Sequence, residues 1–187
     1  MRGILLFLAA SIIFMLAGCS ENGTSVNQPT TNQKELIKLP AKASLSTELQ
    51  TSVTQKIDGD EGGLMILSNS YLSQTGNIVS INAVLTIPEG AFEGNRNINI
   101  TADNEYADIY FFPHMTFDQP LQLTLTFSGL DLSELGLSNG KVGFYYVDDQ
   151  GNMTPVFNKG IIVNNITGTI MVLNAKLDHF SRYAFGK

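Results

Sequence analysis

Several ingredients common in catalytic and nucleic-acid-binding sites are scarce in this chain of 187 residues. One cysteine and two histidines leave no material for an intrachain disulfide or for a site built from several thiolates. Basic residues are also few, with 11 Lys and Arg against 17 Asp and Glu, and they form no stripe. A nucleic acid is therefore not an expected partner. The sequence also lacks a Gly-rich phosphate loop, a G-x-S-x-G elbow and a paired-carboxylate pattern.

The N-terminal segment is apolar but short. Arg2 precedes a run of 14 apolar or small residues, from Ile4 to Ala17, whereas a membrane-spanning helix needs about 20. The run leads into Leu16-Ala17-Gly18-Cys19, in which small residues precede the only cysteine. This pattern resembles, residue for residue, the lipobox of a bacterial lipoprotein signal peptide. The resemblance implies cleavage after Gly18 and attachment of a diacylglycerol and an N-acyl chain to Cys19, with no other cofactor expected.

Acylation of Cys19 would make the protein a membrane-anchored component of the cell envelope, because each buried CH₂ contributes about 0.8 kcal/mol to anchoring. Removal of the signal peptide, residues 1–18, also removes Arg2 and leaves 10 basic against 17 acidic residues, a net charge of −7. Ser20 stands where an aspartate would favour retention in the inner membrane. The outer membrane is therefore favoured, with the domain in the periplasm or at the cell surface. The alternative is an uncleaved signal anchor with a chance cysteine.

Residues 19–52 differ in composition from the segments on either side. From Ser20 to Ser52 the chain is rich in Ser, Thr, Asn and Gln, has no aromatic residue and carries only scattered leucines. Such a composition buries too little apolar surface to offset the loss of chain entropy. We therefore expect a disordered tether after the lipidated cysteine, with an r.m.s. span of about 30 Å.

Residues 53–187 form one domain-sized unit with a hydrophobic period of two. In LQLTLTF (121–127), the leucines and the phenylalanine fall on one face and the polar residues on the other. Similar β-rich runs are IVSINAVLTI (78–87), NINIT (97–101), KVGFYYV (141–147), TIMVLNA (169–175) and HFSRYAF (179–185). Turn signals such as QTGN, PEG and DDQGN separate the runs, and no segment has a convincing helical stripe. The pattern predicts an all-β fold, a single antiparallel β-sandwich.

The middle of this domain carries a more specific pattern. Ile87-Pro88-Glu89-Gly90-Ala91-Phe92 is followed by the alternating Ile98-Asn99-Ile100, and Phe117-Asp118-Gln119-Pro120 opens a later strand. These motifs resemble the ZU domain, the β-sandwich of zonula occludens proteins, Unc-type netrin receptors and ankyrins. The segments IDGDEGG (57–63) and VGFYYVDDQGNMTPV (142–156) resemble bacterial lipoprotein versions of the same fold. The resemblance covers most of residues 53–187 and implies a ZU-like domain for protein interaction or a structural role. A fold of this kind does not by itself specify an activity.

The sequence His179-Phe180-Ser181 raises a catalytic alternative. Some ZU domains cut themselves between Phe and Ser of such a motif, so the resemblance implies His179 as base, Phe180 as carbonyl donor and Ser181 as nucleophile. In that reaction the serine hydroxyl attacks the carbonyl of the preceding residue, and water hydrolyses the resulting ester. His and Ser two positions apart share one face of a strand. Strain in the peptide is also needed, because a relaxed planar amide is a poor electrophile.

A closing strand that is not cleaved is the interpretation we favour for this motif, and with it a protein that is not an enzyme. Phe180, Tyr183 and Phe185 would then pack in the core, while His179 and Ser181 are hydrogen-bonded or solvated. Cleavage would release only the peptide 181–187, with no downstream effector. Asp178 would point to the opposite face of a regular strand and could not complete a triad.

Three further groups of residues are weaker candidates for a calcium, zinc or sugar site. Asp58, Asp60 and Glu61 lie in DGDEGG (58–63), but Gly62 occupies a ligand position of an EF-hand loop, so we expect a turn there. His114 has no second histidine at zinc-ligand spacing, so no metal site is expected. Aromatic residues near 103–113 would form either part of the core or a sugar-binding platform, which makes a glycan-binding surface lipoprotein the third functional alternative: Tyr106, Tyr110, Phe111 and Phe112.

Overall fold

The segments with alternating apolar residues form strands of two antiparallel sheets. The computed structural model describes residues 34–43, 51–137 and 141–187. Their strands are β1 (Thr51–Asp58), β2 (Gly63–Leu72), β3 (Ile78–Ile87), β4 (Asn95–Ala102), β5 (Asp108–Phe112), β6 (Thr116–Ser128), β7 (Gly143–Val147), β8 (Met153–Pro155), β9 (Gly160–Asn164), β10 (Thr169–His179) and β11 (Arg182–Gly186). Sheet 1 has the order β1-β4-β5-β11-β7-β8, and sheet 2 the order β2-β3-β6-β10-β9. The predicted all-β sandwich is confirmed.

The core lies between the sheets and is filled by every second side chain. In β6, which pairs with β3 and β10, the predicted row is fully buried: Leu121, Leu123, Leu125 and Phe127. β3 buries its own predicted row, which consists of Val79, Ile81, Ala83, Leu85 and Ile87. Burial of a large aliphatic or aromatic side chain contributes about 1.5–3 kcal/mol, so these central strands of sheet 2 are a main source of stability.

Residues 34–43 belong to the sandwich, which corrects the prediction of a disordered tether over 19–52. Ile37 and Leu39 are only 1% and 4% exposed. The backbone N–H of Ile37 donates to the carbonyl of Phe185, and its carbonyl accepts from the N–H of Ala107. The segment therefore continues sheet 1 between the ends of β5 and β11. Its two alternating apolar residues were too short a pattern to predict a strand.

The same segment then reaches the β2–β3 hairpin of sheet 2. The Tyr71 hydroxyl donates to the carbonyl of Pro40 over 2.9 Å, and burial raises the pKa of Tyr71 to about 12. The N–H of Ala43 donates to the carbonyl of Leu72 over 2.8 Å. These bonds tie the two sheets together. Of the remaining predicted tether, residues 51 and 52 begin β1, while 19–33 and 44–50 lie outside the described residues.

The strand connections define two ends of the sandwich. Four connections between the sheets lie at one end, which we call the crossover end: 59–62, 88–94, 113–115 and 180–181. At the entry end lie the turn 73–77, the loop 129–137, the turn 165–168 and the C-terminal residue Lys187. Lys34 joins the domain at this end, because Glu35 pairs with Lys187 through two backbone hydrogen bonds of 2.9 Å.

Candidate functional site

The His-Phe-Ser sequence lies where the chain leaves sheet 2 for sheet 1. β10 ends at His179 and β11 begins at Arg182, so the prediction of one continuous strand over 179–185 is wrong. The N–H of Phe180 donates to the carbonyl of Met115 over 2.8 Å, and the carbonyl of Ser181 accepts from the N–H of Phe111 over 3.0 Å. Backbone bonds on both sides of the Phe180–Ser181 peptide therefore hold this crossover in place.

Phe180 is an anchor of the core, as the closing-strand interpretation predicts. Its side chain is 1% exposed. The ring stacks on Phe111 with a centroid distance of 5.2 Å and an interplanar angle of 6°. It also meets Phe117 edge-on at 4.7 Å. Paired aromatic rings in these geometries add about 0.5–1.5 kcal/mol each beyond area burial, so the residue has a sufficient structural role without any chemistry.

His179 and Ser181 instead face a surface cleft of about 540 Å³, the histidine cleft. Both histidines of the chain line it, together with Ser181, Tyr146 and Asp149. The His179 ring lies edge-on to Tyr146, with centroids 4.7 Å apart. The sequence alone does not associate His114 with this motif, because the two histidines are 65 positions apart and only the crossover brings them to one cleft.

His114 touches the peptide bond that self-cleavage would break. Its Nδ1 lies 3.2 Å from the carbonyl oxygen of Phe180, and in the tautomer protonated at Nδ1 it donates a hydrogen bond. Attack by Ser181 would place negative charge on this oxygen. A donor already aimed at that atom is the arrangement that stabilises an oxyanion. The His114 ring is supported edge-on by Phe112 at 5.2 Å.

Two further observations on the described residues bear on self-cleavage. His179 and Ser181 make no side-chain hydrogen bond to each other, although a nucleophile and its base normally lie within about 3.2 Å. Neither Phe180 nor Ser181 has a positive φ, since Asn174 is the one non-glycine residue with that conformation in the described ranges. The carbonyl oxygen of His179 accepts from the buried hydroxyl of Tyr183 over 2.6 Å, which fixes the end of β10.

An adjoining cleft of about 510 Å³, the aromatic cleft, is lined by Tyr110, Phe112, Arg182, Gln150 and other residues. Phe112 is 43% exposed, whereas Tyr110 is partly buried and lies 5.3 Å from the Arg182 guanidinium. Tyr106, also partly buried, flanks the same guanidinium at 6.0 Å, and Phe111 is in the core. The predicted aromatic platform is thus reduced to one exposed ring beside an arginine held between tyrosines.

Asp108 is a buried acid that the sequence did not reveal. Its Oδ2 accepts from Arg182 Nη2 at 2.6 Å and Nε at 2.7 Å. Its Oδ1 is fully buried and has no hydrogen-bond partner in the described part of the chain. Burial raises the pKa of Asp108 to about 7, although the Arg182 charge acts in the opposite direction. A single acidic residue at the start of a strand gives no sequence signal, and its partner lies 74 positions away.

The expected turn is present at 58–63, and hydrogen bonds to the Asp58 carboxylate stabilise it. The Asp58 carboxylate accepts from the N–H of Asp60 at 3.1 Å and from Asn95 Nδ2 at 3.2 Å. Gly62 adopts φ +74°, a conformation that suits glycine. Over the ranges that the structure covers, no three His, Cys, Asp or Glu side chains are grouped so as to hold a metal ion.

The predicted cleavage position at Gly18 and the lipid attachment at Cys19 lie outside the described residues. Within the described residues, no helix is long and apolar enough to cross a membrane.

Comparison with protein-family models, with curated proteins and with solved structures finds no match to this chain.

Proposed function

We propose that this protein is a lipoprotein of the bacterial cell envelope, anchored through Cys19, which displays a ZU-like β-sandwich for protein interaction or a structural role. The observation that carries the proposal is the sequence Leu16-Ala17-Gly18-Cys19, which ends a 14-residue apolar run with the only cysteine of the chain. The organisation downstream supports it. Among the described residues, the buried core lies between Ile37 and Phe185.

Segment 34–43 supports a firm mechanical connection between anchor and domain. It is hydrogen-bonded to β11 and to the 105–107 segment of sheet 1, and then to the β2–β3 hairpin of sheet 2. An anchor upstream of Lys34 would therefore hold both sheets and not only a peripheral strand.

The anchor is tested by Cys19→Ala in the intact protein, with Ser20→Ala as the matched control. We expect the unaltered and Ser20→Ala proteins to have an N-terminal peptide that begins at Cys19 and carries acyl mass, and the Cys19→Ala protein to lose the acyl mass. An unaltered protein that keeps residues 1–18 and carries no acyl mass would refute the lipoprotein proposal and favour a signal anchor.

Self-cleavage between Phe180 and Ser181 is a second candidate, and the contact of His114 with the Phe180 carbonyl favours it. Oγ of Ser181 would attack the carbonyl carbon and lose its proton to His179. The C–N bond would then break, the amine of Ser181 would take that proton, and an ester would remain. Water would hydrolyse the ester to a Phe180 carboxylate and restore the serine hydroxyl.

A cut at this position would leave the sandwich assembled. β11 pairs with β5 and β7, and its Tyr183 and Phe185 side chains are buried. The mass must therefore be measured under denaturing conditions, beside Ser181→Ala and His114→Ala variants. A wild-type chain that ends at Phe180, with both variants uncut or slowed, would establish self-cleavage. A full-length wild-type chain after days at neutral pH would refute it and leave the motif with its structural role.

Glycan binding is supported by the exposed Phe112 ring beside Arg182 and Gln150 in the aromatic cleft. Aromatic faces flanked by polar side chains are typical of sugar sites. Affinity electrophoresis in a gel containing soluble cell-wall glycan tests this, with Phe112→Ala compared with Phe157→Ala, which removes a ring that is 70% exposed outside both clefts. Retardation lost only in Phe112→Ala would support glycan binding, and equal migration of all three proteins would exclude it for that glycan.

A further inference from the structure

Three of the exposed aliphatic residues of the described chain come together at the entry end. Leu72 is 54% exposed, Ile78 66% and Ile166 96%. Leu72 and Ile78 are direct partners beside the β2–β3 turn. Ile78 and Ile166 line one cleft of about 440 Å³, so the turn 165–168 brings the third residue to the same surface. Single exposed aliphatics need no explanation, but a contiguous group at loop tips marks an interaction surface.

The chain enters the sandwich at the same end. Lys34 and Glu35 lie beside Met153 and Lys187, through contacts of 3.3 Å from Lys34 Nζ to the Met153 carbonyl and 2.9 Å between the Glu35 and Lys187 backbones. Only 14 residues separate Lys34 from Cys19. A segment of this length reaches at most about 50 Å. A bilayer that held the lipid on Cys19 would therefore lie within reach of the entry end.

Charge is distributed unequally between the entry end and the rest of the described chain. At the entry end, five lysines balance five acidic residues: Lys34, Lys38, Lys42, Lys141 and Lys187 against Glu35, Asp103, Glu105, Asp131 and Glu134. In the rest of the described chain, apart from the ion pair of the buried Asp108 with Arg182, nine acidic residues face four basic ones: Asp58, Asp60, Glu61, Glu89, Glu93, Asp118, Asp148, Asp149 and Asp178 against Lys56, Arg96, Lys159 and Lys176. An anionic bilayer repels the acidic part and tolerates the neutral, lysine-bearing end.

We infer that the entry end is a membrane-contacting surface, in which Leu72, Ile78 and Ile166 insert at the boundary between phospholipid headgroups and acyl chains. The inference rests on the proposed function for the nearness of the bilayer, since the anchor at Cys19 supplies it. Weak intrinsic affinity is sufficient, because an anchored domain meets the bilayer at a high effective concentration. The histidine and aromatic clefts would then face away from the membrane.

Vesicle binding by the chain without its lipid tests the surface separately from the anchor. The chain from Ser20 to Lys187 contains all of the buried core that the described residues form, between Ile37 and Phe185. The native chain has no tryptophan, so Ile166→Trp introduces a single fluorescent reporter, and Leu64→Trp, 51% exposed near the crossover end, is the matched control. The probe is a vesicle of phosphatidylethanolamine and phosphatidylglycerol in a 3:1 ratio.

We expect the Ile166→Trp emission to shift to the blue on vesicle addition and to be quenched by brominated acyl chains, while the Leu64→Trp emission stays unchanged. Cosedimentation with the same vesicles should weaken at least tenfold in the tryptophan-free Ile78→Ser/Ile166→Ser chain and stay within twofold in Leu64→Ser/Ile66→Ser. Equal binding by the two double variants, or no emission shift in the Ile166→Trp protein, would overturn the inference. A dimer in sedimentation equilibrium that Ile78→Ser/Ile166→Ser abolishes would also overturn it, in favour of contact with a second copy.

Failure of the anchor gives a different result. An intact protein whose N-terminal peptide carries no acyl mass contradicts the lipoprotein proposal, whereas the vesicle experiment depends only on residues of the folded domain.

Discussion

Replacement of Ile37 by alanine measures how firmly segment 34–43 belongs to the domain. The Ile37 side chain is 1% exposed, and its backbone bridges Phe185 and Ala107. Removal of three carbon atoms from a site packed on all sides costs about 2–5 kcal/mol, since both transfer energy and cavity formation contribute. For a domain of this size each kcal/mol lowers Tm by about 2–4 °C. A loss of about 3 kcal/mol therefore predicts a Tm lower by about 6–12 °C.

Urea unfolding of residues 20–187, followed by circular dichroism, gives this difference directly. Lys38→Ala is the matched control, because the neighbouring Lys38 side chain is 68% exposed and pairs with Glu105 only at 3.5 Å. Exposed pairs of this kind contribute about 0–1 kcal/mol. Equal unfolding midpoints for Ile37→Ala and Lys38→Ala would refute the inserted-strand description and restore the tether prediction for this segment.

Three further predictions concern single positions. Because burial raises the pKa of Asp108 to about 7 from 3.8, the folded state binds more protons than the unfolded state between these values. Stability should therefore fall as the pH rises from about 4 through 7, and Asp108→Asn should reduce this fall in urea titrations at pH 5 and 8; an unchanged slope would contradict the assignment. Gly129→Ala should lower the free energy of unfolding by more than about 2 kcal/mol, because Gly129 has φ +77° and an added Cβ would clash with the carbonyl oxygen of Ile78. Gly76 has a similar φ of +85° but open space around it, so Gly76→Ala should lower it by only about 1 kcal/mol. Equal decreases in Tm for the two variants would contradict the predicted clash. Tyr183→Phe removes the 2.6 Å hydrogen bond at the end of β10 and should lower the free energy of unfolding by about 1–2 kcal/mol in thermal unfolding. An unchanged Tm would disprove this prediction.

Strands in the middle of sheet 2 were predictable from the sequence because each buries one complete face. β3 has the bounds predicted from IVSINAVLTI, and the predicted row of β6 is fully buried. A period of two over eight or more residues indicates a strand whatever its neighbours are. The partners and the sheet order carry no such local signal, since they follow from contacts between distant parts of the chain.

The crossover and the inserted segment were not predictable for a related reason. Phe180 has its predicted place in the core, but HFSRYAF has the pattern of one strand whether it stays in a sheet or passes to the other. Segment 34–43 buries only Ile37 and Leu39 fully, which is too little for a periodicity. Asp108 and Arg182 are 74 positions apart, so their pairing depends on the β5–β11 register. The sequence therefore identified the His-Phe-Ser residues at 179–181 as a candidate site, but it did not predict the contact of His114 with the Phe180 carbonyl.

The pairing of Glu35 with Lys187 has a consequence for the time at which this protein folds. Residues near the beginning of the described domain lie beside β11, so sheet 1 is complete only when segments from opposite ends of the described chain have met. Contacts of such large sequence separation form late and slow the folding of β-sandwiches. The last step in forming sheet 1 therefore joins the two ends of the described domain, so we expect this sheet to be completed late in folding.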